Sequence, residues 1–249
     1  MIDLHCHVLP GIDDGPATVE DALALARAMV ADGIEQAVAT PHVFPGRFDN
    51  TRATIAPVHA AFCERLAQEG IALRLHVAGE LRLSAELLDR LGSGELPCLN
   101  QTDAARPRAM LLEMPDGQVP LGTDRLCLAL TRQGITPLIA HPERNRGVME
   151  RLDRIHPLLD AGCQLQLTAG SLVGDFGERA CDTAWALLEL GGVSAVASDA
   201  HNLRGRSPRM GAARELLTQE LGAQRAWQLL VAGPARLCGL PPPAMAQAA

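Results

Sequence analysis

The stretch MIDLHCHVLPGIDDGPA, residues 1–17, decides how the whole chain is interpreted. It opens with an apolar run that predicts a β-strand carrying His5 and His7. Because side chains alternate along a strand, both imidazoles are expected on the same side of it. Asp13 and Asp14 follow in a turn rich in glycine and proline. The stretch therefore predicts a strand that ends in a polar site.

The rest of the chain repeats this order of a short apolar run followed by a helical pattern. We predict seven strands, at residues 1–8, 35–40, 71–79, 108–114, 136–141, 163–168 and 193–200. The helices between them are predicted at residues 18–33, 51–68, 84–91, 124–134, 148–162 and 178–192. Two more helices are expected after the last strand, the first with Ser207 as its N-cap and Pro208 as its first residue.

Strands separated by helices imply right-handed crossovers and a parallel sheet. Seven such units in one domain favour an α/β fold of a particular kind, a distorted TIM-like (β/α)7 barrel. In such barrels the functional residues lie at the carboxyl ends of the strands. Metal-binding side chains should therefore occur where the apolar runs stop.

Length and composition favour one folded domain. The chain has 249 residues, of which 47% are hydrophobic and 20% charged, enough apolar mass for one large core. We expect residues 1–240 to form a single barrel domain and residues 241–249 to form a disordered tail. The net charge of −7 argues against nucleic acid as a partner.

The sequence also lacks the signals of secretion and membrane insertion. No apolar stretch reaches the roughly 18 residues of a membrane span, and the N-terminus lacks a leader pattern. The seven cysteines are scattered and odd in number, which indicates reduced thiols rather than a disulfide framework. We therefore expect a cytoplasmic protein without membrane insertion, and nothing in the sequence indicates its oligomeric state.

Imidazoles and carboxylates occur at the predicted strand ends, as the barrel requires. The nine candidates are His5, His7, Asp14, His42, Glu80, Glu113, His141, Asp199 and His201. A single histidine at a strand end is usually an ordinary hydrogen-bonded residue. Burying this many charges without a cation, however, would cost several kcal/mol for each of them.

Imidazole and carboxylate ligands together suit manganese, iron or zinc. One zinc ion takes about four protein ligands, so nine candidates predict two or three divalent metal ions. Clusters of this kind activate water and bind phosphoryl oxygens.

The chain resembles the PHP (polymerase and histidinol phosphatase) superfamily. Within it, the chain is most similar to the bacterial capsule and exopolysaccharide tyrosine phosphatases, the CpsB-like group. The stretches that carry the resemblance are MIDLHCHVLPGIDDGP, ATPH, GEL, LLEMP, PLIAHPERN, TAGSLVGDFG and VASDAHN. They span nearly the whole chain and occur in the order found in the family. The resemblance implies a barrel of the PHP type.

The resemblance also implies a ligand set. One metal ion would take His5, His7, Glu80 and Asp199, with Glu80 bridging to a second ion bound by Glu113 and His141. A third ion would take Asp14, His42 and His201, and here Asp14 rather than Asp13 holds the family's ligand position. The metal expected from the family is manganese, with iron or zinc as alternatives.

Two arginines are candidates for holding the phosphate. Arg144 matches the family's phosphate-binding arginine, and Arg206 matches a second one. The segment around the second departs from the family's pattern, reading HNLRGRSPRM, so Arg204 or Arg209 could take its place. Arg47 lies in the predicted loop FPGRFDN, where it is either a substrate contact or a solvated cation.

The resemblance implies a metal-dependent phosphotyrosine-protein phosphatase that regulates capsular or exopolysaccharide biosynthesis. Its expected partner is the phosphotyrosine tail of a membrane-associated polysaccharide-biosynthesis tyrosine kinase. The chain contains no tyrosine, so it cannot be its own substrate. Two alternatives stay open, another PHP phosphoesterase acting on histidinol phosphate or nucleotides, and a non-catalytic regulator of the export complex.

A cysteine nucleophile is the competing mechanism for such a phosphatase. Cysteine-based phosphatases place an arginine six positions after the cysteine, across a loop that holds the phosphate. None of the seven cysteines has an arginine there, and Cys127 comes nearest, with Arg132 five positions on. The sequence therefore favours the metal mechanism.

Overall fold

A computed structural model describes residues 1–84, 86–100 and 108–242 of the chain. The strands that it contains are β1 Ile2–Cys6, β2 Gln36–Ala39, β3 His42–Val43, β4 Arg74–Val77, β5 Glu80–Arg82, β6 Arg108–Glu113, β7 Ile135–Ala140, β8 Gln164–Thr168 and β9 Val193–Ala197. All pairings between them are parallel. The predicted parallel α/β architecture is confirmed.

The strands form two hydrogen-bonded sheets, β1-β2-β4 and β3-β5-β6-β7-β8-β9. The segment after β9 joins the sheets on one side, since Asp199 N donates to His5 O at 2.8 Å and His7 N donates to Ala200 O at 2.9 Å. On the other side the chain itself joins them, because β3 follows β2 directly and β5 follows β4. The strands therefore close into a distorted ring.

The second and third predicted strands are each divided in two. Pro41 separates β2 from β3, and a proline lacks the N–H that a central strand would need. Gly79 separates β4 from β5, where an added Cβ would lie 2.6 Å from Pro97 Cγ and 2.9 Å from Val43 Cγ2. The two breaks let His42 and Glu80 begin new short strands in the six-stranded sheet, paired with each other.

Helices follow most of the strands. They are α1 Val19–Ala31, α2 Arg52–Gln68, α3 Leu87–Gly92, α4 Thr123–Arg132, α5 Arg146–Glu150, α6 His156–Asp160, α7 Ala169–Leu172, α8 Glu178–Leu190, α9 Met210–Leu221, α10 Ala223–Trp227 and α11 Gly233–Cys238. A π-helical turn, Gln228–Ala232, connects the last two. No helix in the described part of the chain is long and apolar enough to cross a membrane.

Two predicted helix boundaries are wrong. The helix predicted over residues 148–162 is divided into α5, a 3₁₀ turn at Leu152–Ile155 and α6. The division occurs because Arg151 is extended and Pro157 lies in the first turn of a new helix. The helix expected to begin at Ser207 and Pro208 begins at Met210 instead.

The late start of α9 follows from the turn that precedes it. The backbone of Arg206 turns back to accept hydrogen bonds from the N–H groups of His201 and Asn202, and Arg209 is left-handed, with φ 57°. Residues 243–249 of the predicted tail lie outside the described residues.

The apolar core consists of two clusters, and successive side chains of a strand such as β6 belong to them in turn. Met110 and Leu112 of β6 belong to the larger cluster, whereas Ala109 and Leu111 belong to a smaller one. Because strand side chains alternate in direction, the smaller cluster faces into the ring and the larger one faces the helices. Glu113 continues the inward series, which carries its carboxylate to the carboxyl end of the ring.

Candidate metal centre

The nine acidic and imidazole side chains expected at the strand ends lie together in the structure. Most of them are buried, and Asp14 is the most exposed, with 40% of its side chain accessible. Four groups have ligand atoms within 4.8 Å of one another: His7, Asp14, His42 and His201; His5, Glu80 and His141; His5, His7 and Asp199; His42, Glu80 and Glu113. Because Glu80 and three histidines recur in these groups, they form one continuous cluster.

Glu80 lies at the centre of the cluster. Its Oε2 is 2.9 Å from His42 Nδ1, 3.3 Å from His7 Nε2 and 3.4 Å from His5 Nε2. Its Oε1 is 2.9 Å from His141 Nε2. One carboxylate thus contacts four imidazoles through both of its oxygens, which is the position of a bridging ligand.

Outer partners fix how two of the imidazoles are oriented. The amide oxygen of Gln166 lies 2.8 Å from His5 Nδ1, and Asp13 Oδ2 lies 2.7 Å from His7 Nδ1. Each oxygen can only accept, so each ring donates from Nδ1 and, when neutral, presents the lone pair of Nε2 to the cluster.

His201 is oriented in the same way by the backbone. Its Nδ1 lies 2.9 Å from the carbonyl oxygen of Asp199, and its Nε2 faces Asp14 Oδ1 at 3.2 Å. Asp14 Oδ1 contacts a second imidazole as well, since it also lies 3.3 Å from His42 Nε2.

The two adjacent aspartates have different places. Asp13 lies behind the cluster, where it accepts from the ring of His7 and from the backbone N–H groups of His42 and Gly15. Asp14 faces into the cluster. The turn requires glycine at position 15, since an added Cβ would lie 2.2 Å from His7 O.

The inner atoms of the cluster fit a set of cations. Glu80 Oε2, Asp199 Oδ1, His42 Nδ1 and His201 Nε2 are buried and have no hydrogen-bond partner. In addition, the Nε2 atoms of His5 and His7 face each other at 3.2 Å. Lone pairs that converge in this way repel one another unless a cation lies between them, and the mixture of imidazole and carboxylate suits divalent transition metals.

Two residues of the cluster have left-handed backbones. His141 has φ 34° and Asp199 has φ 51°, each directly after or close to the end of its strand. This region is unfavourable for residues other than glycine, asparagine and aspartate, and such conformations concentrate at functional sites. The turn after His141 continues as a 3₁₀ helix that carries Arg144.

Neighbouring carboxylates raise the pKa of two histidines. Burial disfavours protonation of His7, but the carboxylates of Asp13 and Glu80 outweigh it and raise its pKa to about 9. Burial also opposes protonation of His42, but the nearby carboxylates of Asp14 and Glu80 outweigh it and raise its pKa to about 11. Protons therefore compete with cations for these two rings.

At His141 and Glu80, by contrast, the surroundings lower the pKa. Burial, reinforced by the positive charge of Arg144, lowers the pKa of His141 to about 4. Burial alone would raise the pKa of Glu80, yet its histidine neighbours hold that pKa well below its usual range. His141 is thus neutral and Glu80 ionised at neutral pH, as metal ligands must be.

Two arginines beside the cluster bind the carboxylate of Asp199. Arg144 Nη1 and Arg206 Nη2 both donate to Asp199 Oδ2, the latter at 2.5 Å, while Asp199 Oδ1 faces His5 at 3.3 Å. The alternatives to Arg206 lie elsewhere, since Arg209 is paired with Asp175 and Arg204 is exposed. A guanidinium pair here is suited to binding phosphoryl oxygens.

Arg47 stands at the edge of the site. It is exposed, and its guanidinium carbon lies 5.1 Å from the ring centroid of Phe48, which in turn stacks on His42. Arg47 is therefore close to the cluster but not in it.

The sequence did not predict the roles of three further residues. Arg82 Nη1 forms an ion pair with Glu113 Oε2 at 3.0 Å, and Gln166 and Asp13 orient histidines. A signal for Gln166 was present in the strand QLQLT, where polar residues alternate with leucine, as expected for positions that face the polar end of the barrel. Nothing in the pattern distinguishes Asp13 from Asp14.

The fold and this site define a class. It comprises parallel α/β barrels that gather buried histidines and carboxylates at the carboxyl ends of their strands, with arginines beside them. The chain belongs to the CpsB/CapC family of capsular polysaccharide synthesis, whose sequence profile matches residues 1–238.

Characterised relatives cover almost the whole chain. The tyrosine-protein phosphatase YwqE of Bacillus subtilis is 35% identical over 229 residues, which are 92% of this chain and 88% of that protein. The tyrosine-protein phosphatase CpsB of Streptococcus pneumoniae is 30% identical over 246 residues, 95% of this chain and 98% of that protein.

Solved structures give the same result. The chain matches a structure from a study of YwqE and CpsB, described as metal-dependent tyrosine phosphatases, with a TM-score of 0.89, 34% identity and coverage of 97% of this chain and 96% of the other. An organophosphorus hydrolase from Deinococcus radiodurans matches with a TM-score of 0.58 at 17% identity, over 96% of this chain and 92% of that one. The second likeness shows the barrel fold alone.

Proposed function

We propose that this protein is a metal-dependent phosphotyrosine-protein phosphatase that acts in capsular or exopolysaccharide biosynthesis. The observation that carries the proposal is the convergence of nine buried or half-buried ligand groups beside two arginines on one carboxylate. Such a site combines metal ligands with phosphate-binding groups, and the relatives named above are tyrosine phosphatases.

The residues would hold two or three divalent ions, with manganese favoured and iron or zinc as alternatives. His5, His7 and Asp199 would bind one ion, Glu113 and His141 would bind a second, and Glu80 would contribute to both. Asp14, His42 and His201 would bind a third. When bound, such ions supply Lewis-acid charge that neutralises phosphoryl oxygens and lowers the pKa of an attacking water.

The protein's own side chains would position the phosphate monoester. Arg144 and Arg206 would bind its non-bridging oxygens, because a guanidinium presents paired N–H groups in the plane that two such oxygens occupy. The centroid of the Phe176 ring lies 4.6 Å from the guanidinium carbon of Arg144, so the ring packs against that side chain. Their shared partner Asp199 holds both arginines in place before substrate arrives.

The substrate lies on another protein under this proposal. The chain has no tyrosine of its own, so the phosphotyrosine must come from a partner, for which we propose the tail of a membrane-associated polysaccharide-biosynthesis tyrosine kinase. We further propose that residues 1–240 act as a single domain in the cytoplasm.

A substrate panel tests this function. Purified protein loaded with Mn²⁺ should hydrolyse a phosphotyrosyl peptide with a kcat/KM well above its values for histidinol phosphate and nucleoside monophosphates. Preference for either of those small substrates would replace the proposal with another phosphoesterase activity. Hydrolysis of none of them, nor of any aryl phosphate, would favour a non-catalytic regulator.

Inhibitors test the mechanism separately. EDTA should abolish turnover, and Mn²⁺ should restore it, while vanadate should inhibit only weakly because none of the seven cysteines has the arginine, six positions on, of a cysteine-based phosphatase. Cys127, the cysteine with the nearest downstream arginine, is fully buried. Strong inhibition by vanadate together with resistance to EDTA would contradict the metal mechanism.

A further inference from the structure

Three of the four phenylalanines of this chain surround the proposed active site, although aromatic residues make up only 2% of the sequence. Each of the three rings is covered by an arginine. The pairs, with the distance from the guanidinium carbon to the ring centroid, are Arg82 and Phe44 at 4.8 Å, Arg47 and Phe48 at 5.1 Å, and Arg144 and Phe176 at 4.6 Å. The fourth ring, Phe62, is buried in the core.

Two of these rings belong to one small hairpin. The backbone N–H of Phe44 donates to Phe48 O at 2.9 Å, and the N–H of Phe48 donates to Phe44 O at 2.8 Å. Gly46 makes the turn with φ +79°, and its N–H donates to Asp49 Oδ1 at 2.8 Å. The hairpin therefore has a defined shape rather than that of an open loop.

The base of the hairpin is fastened to the proposed metal site. The side-chain amide of Asn50 donates to both Ile12 O and His42 O, each at 2.9 Å. Asn50 thus ties the hairpin to the turn that carries Asp14 and to the strand that carries His42. The position of the rings is fixed relative to the cluster before any ligand binds.

Phe48 stacks directly on a residue of the cluster. Its ring lies nearly parallel to that of His42, with an interplanar angle of 8° and centroids 5.5 Å apart. Phe44 and Phe48 are only partly buried, so apolar ring surface remains accessible at the edge of a highly charged site. That surface would be stabilised if an apolar group of a ligand covered it.

We propose that Phe48, together with Phe44, binds the aromatic ring of the substrate, so that the hairpin of residues 44–48 selects aryl phosphates over alkyl phosphates. The inference rests on the proposed function, since it places a phosphoryl group at the adjacent cluster. Ring-to-ring contact in offset or edge-to-face geometry then adds affinity that an alkyl ester cannot gain. Arg47 lies on this hairpin and covers Phe48 from outside.

A matched pair of inert ligands isolates this contact. Phenylphosphonate and methylphosphonate carry the same phosphoryl group and differ only in the organic substituent. Calorimetric titration of the Mn²⁺-loaded protein should show phenylphosphonate binding about tenfold more tightly, the size expected for one aromatic contact. The readout is a ratio of affinities and needs no turnover.

Replacing the ring should collapse the ratio. In Phe48→Leu we expect the preference for phenylphosphonate to fall by about fivefold while the affinity for methylphosphonate changes by less than about twofold. Phe62→Leu is the matched control, since it makes the same change in the core, and it should keep the wild-type ratio. Phe44→Leu is the second variant, because Phe44 does not stack on His42 and its loss should leave the metal content unchanged.

Each outcome has one meaning. The hairpin assignment would be overturned if Phe44→Leu and Phe48→Leu both kept the wild-type ratio of affinities, including the case in which both ligands bind equally more weakly. It would also be overturned if the ratio collapsed in Phe176→Leu instead. A wild-type protein with no preference between the ligands would overturn it as well. Tight, ring-dependent binding by a protein that hydrolyses no aryl phosphate would contradict the proposed function and leave the hairpin assignment standing.

Discussion

The inside of the barrel changes character along its strands. On β6 the inward side chains pass from Ala109 and Leu111 to Glu113, and on β7 Leu138 and Ala140 are followed by His141. The apolar half is packed and contributes to stability, because removing such surface from water is favourable. The polar end gathers buried groups without hydrogen-bond partners, which is unfavourable until a ligand compensates them.

Stability and function are therefore controlled by different parts of the barrel interior. The apolar half should control the free energy of unfolding, and the polar end should control turnover and metal affinity. The left-handed backbone of His141, which is unfavourable for a histidine, also lies at the polar end. Substitutions in the two halves should therefore separate the two properties.

The largest effect is expected at a proposed metal ligand. His141→Ala should lower kcat/KM for a phosphotyrosyl peptide by more than about a hundredfold, because losses of 10- to 100-fold already follow removal of mere outer partners of metal ligands. The protein should stay folded, since the change removes a buried polar ring. Enzyme assays and thermal melting measure both. His156→Ala is the control, as His156 is exposed on α6, and near-normal turnover in His141→Ala would refute the proposed second metal position.

The apolar half should give the converse result. Leu138 is fully buried, and Leu138→Ala should reduce the free energy of unfolding by about 2–5 kcal/mol through lost burial and a cavity. Well below the melting temperature kcat should stay close to that of the wild type. Leu128→Ala, at a partly exposed leucine on α4, should change stability by less than about 0.5 kcal/mol. A large loss of kcat in folded Leu138→Ala would show that the two halves are coupled.

The sequence was sufficient for the fold because the barrel is encoded by local periodicity. Apolar runs and amphipathic segments alternate along the chain, and most strands could be located from the apolar runs. The breaks at Pro41 and Gly79 were harder to place, since the need for Gly79 comes from Pro97 and Val43, which approach it only in the folded chain.

The nine expected site residues all came together in the structure, but their partners could not be predicted in the same way. That Asp13 contacts His7 Nδ1 depends on the path of the turn, and the pairing of Arg82 with Glu113 depends on the register of β5 and β6. Ser207 has the local signature of a helix start, yet tertiary contacts of Arg206 and Arg209 delay the helix. Local patterns identify elements, and long-range contacts fix their ends.

A buried acid in β1, Asp3, makes the stability of the protein depend on pH. Burial raises the pKa of Asp3 to about 6, although Ser198 donates to its carboxylate through N–H and O–H. The folded state therefore holds this proton more tightly than the unfolded state, so stability falls as the pH rises from about 4 to 6. Asp3→Asn should remove this fall, which is about 2–3 kcal/mol.

Chemical denaturation at pH 4 to 7, with EDTA present so that metal binding does not contribute, measures the effect. Asp153→Asn is the control. Arg151 lowers the pKa of the exposed Asp153, so this carboxylate stabilises the protein more as the pH rises, which is opposite in sign to the effect of Asp3. The variant should therefore keep the fall in stability that Asp3 causes. Parallel curves for Asp3→Asn and wild type would mean that the proton of Asp3 does not contribute.

The smallest effect separates the two aspartates of the first turn. Asp13→Asn keeps the shape of the side chain but can present an amide N–H to His7 Nδ1, which weakens the hold on the ring and its tautomer. We expect metal affinity to fall about 10- to 100-fold, with turnover restored at saturating Mn²⁺. Asp14→Asn, by contrast, removes a proposed ligand, so added Mn²⁺ should not restore turnover. Titration with Mn²⁺, followed by both bound metal and kcat, distinguishes them, and the reverse pattern would make Asp13 the ligand.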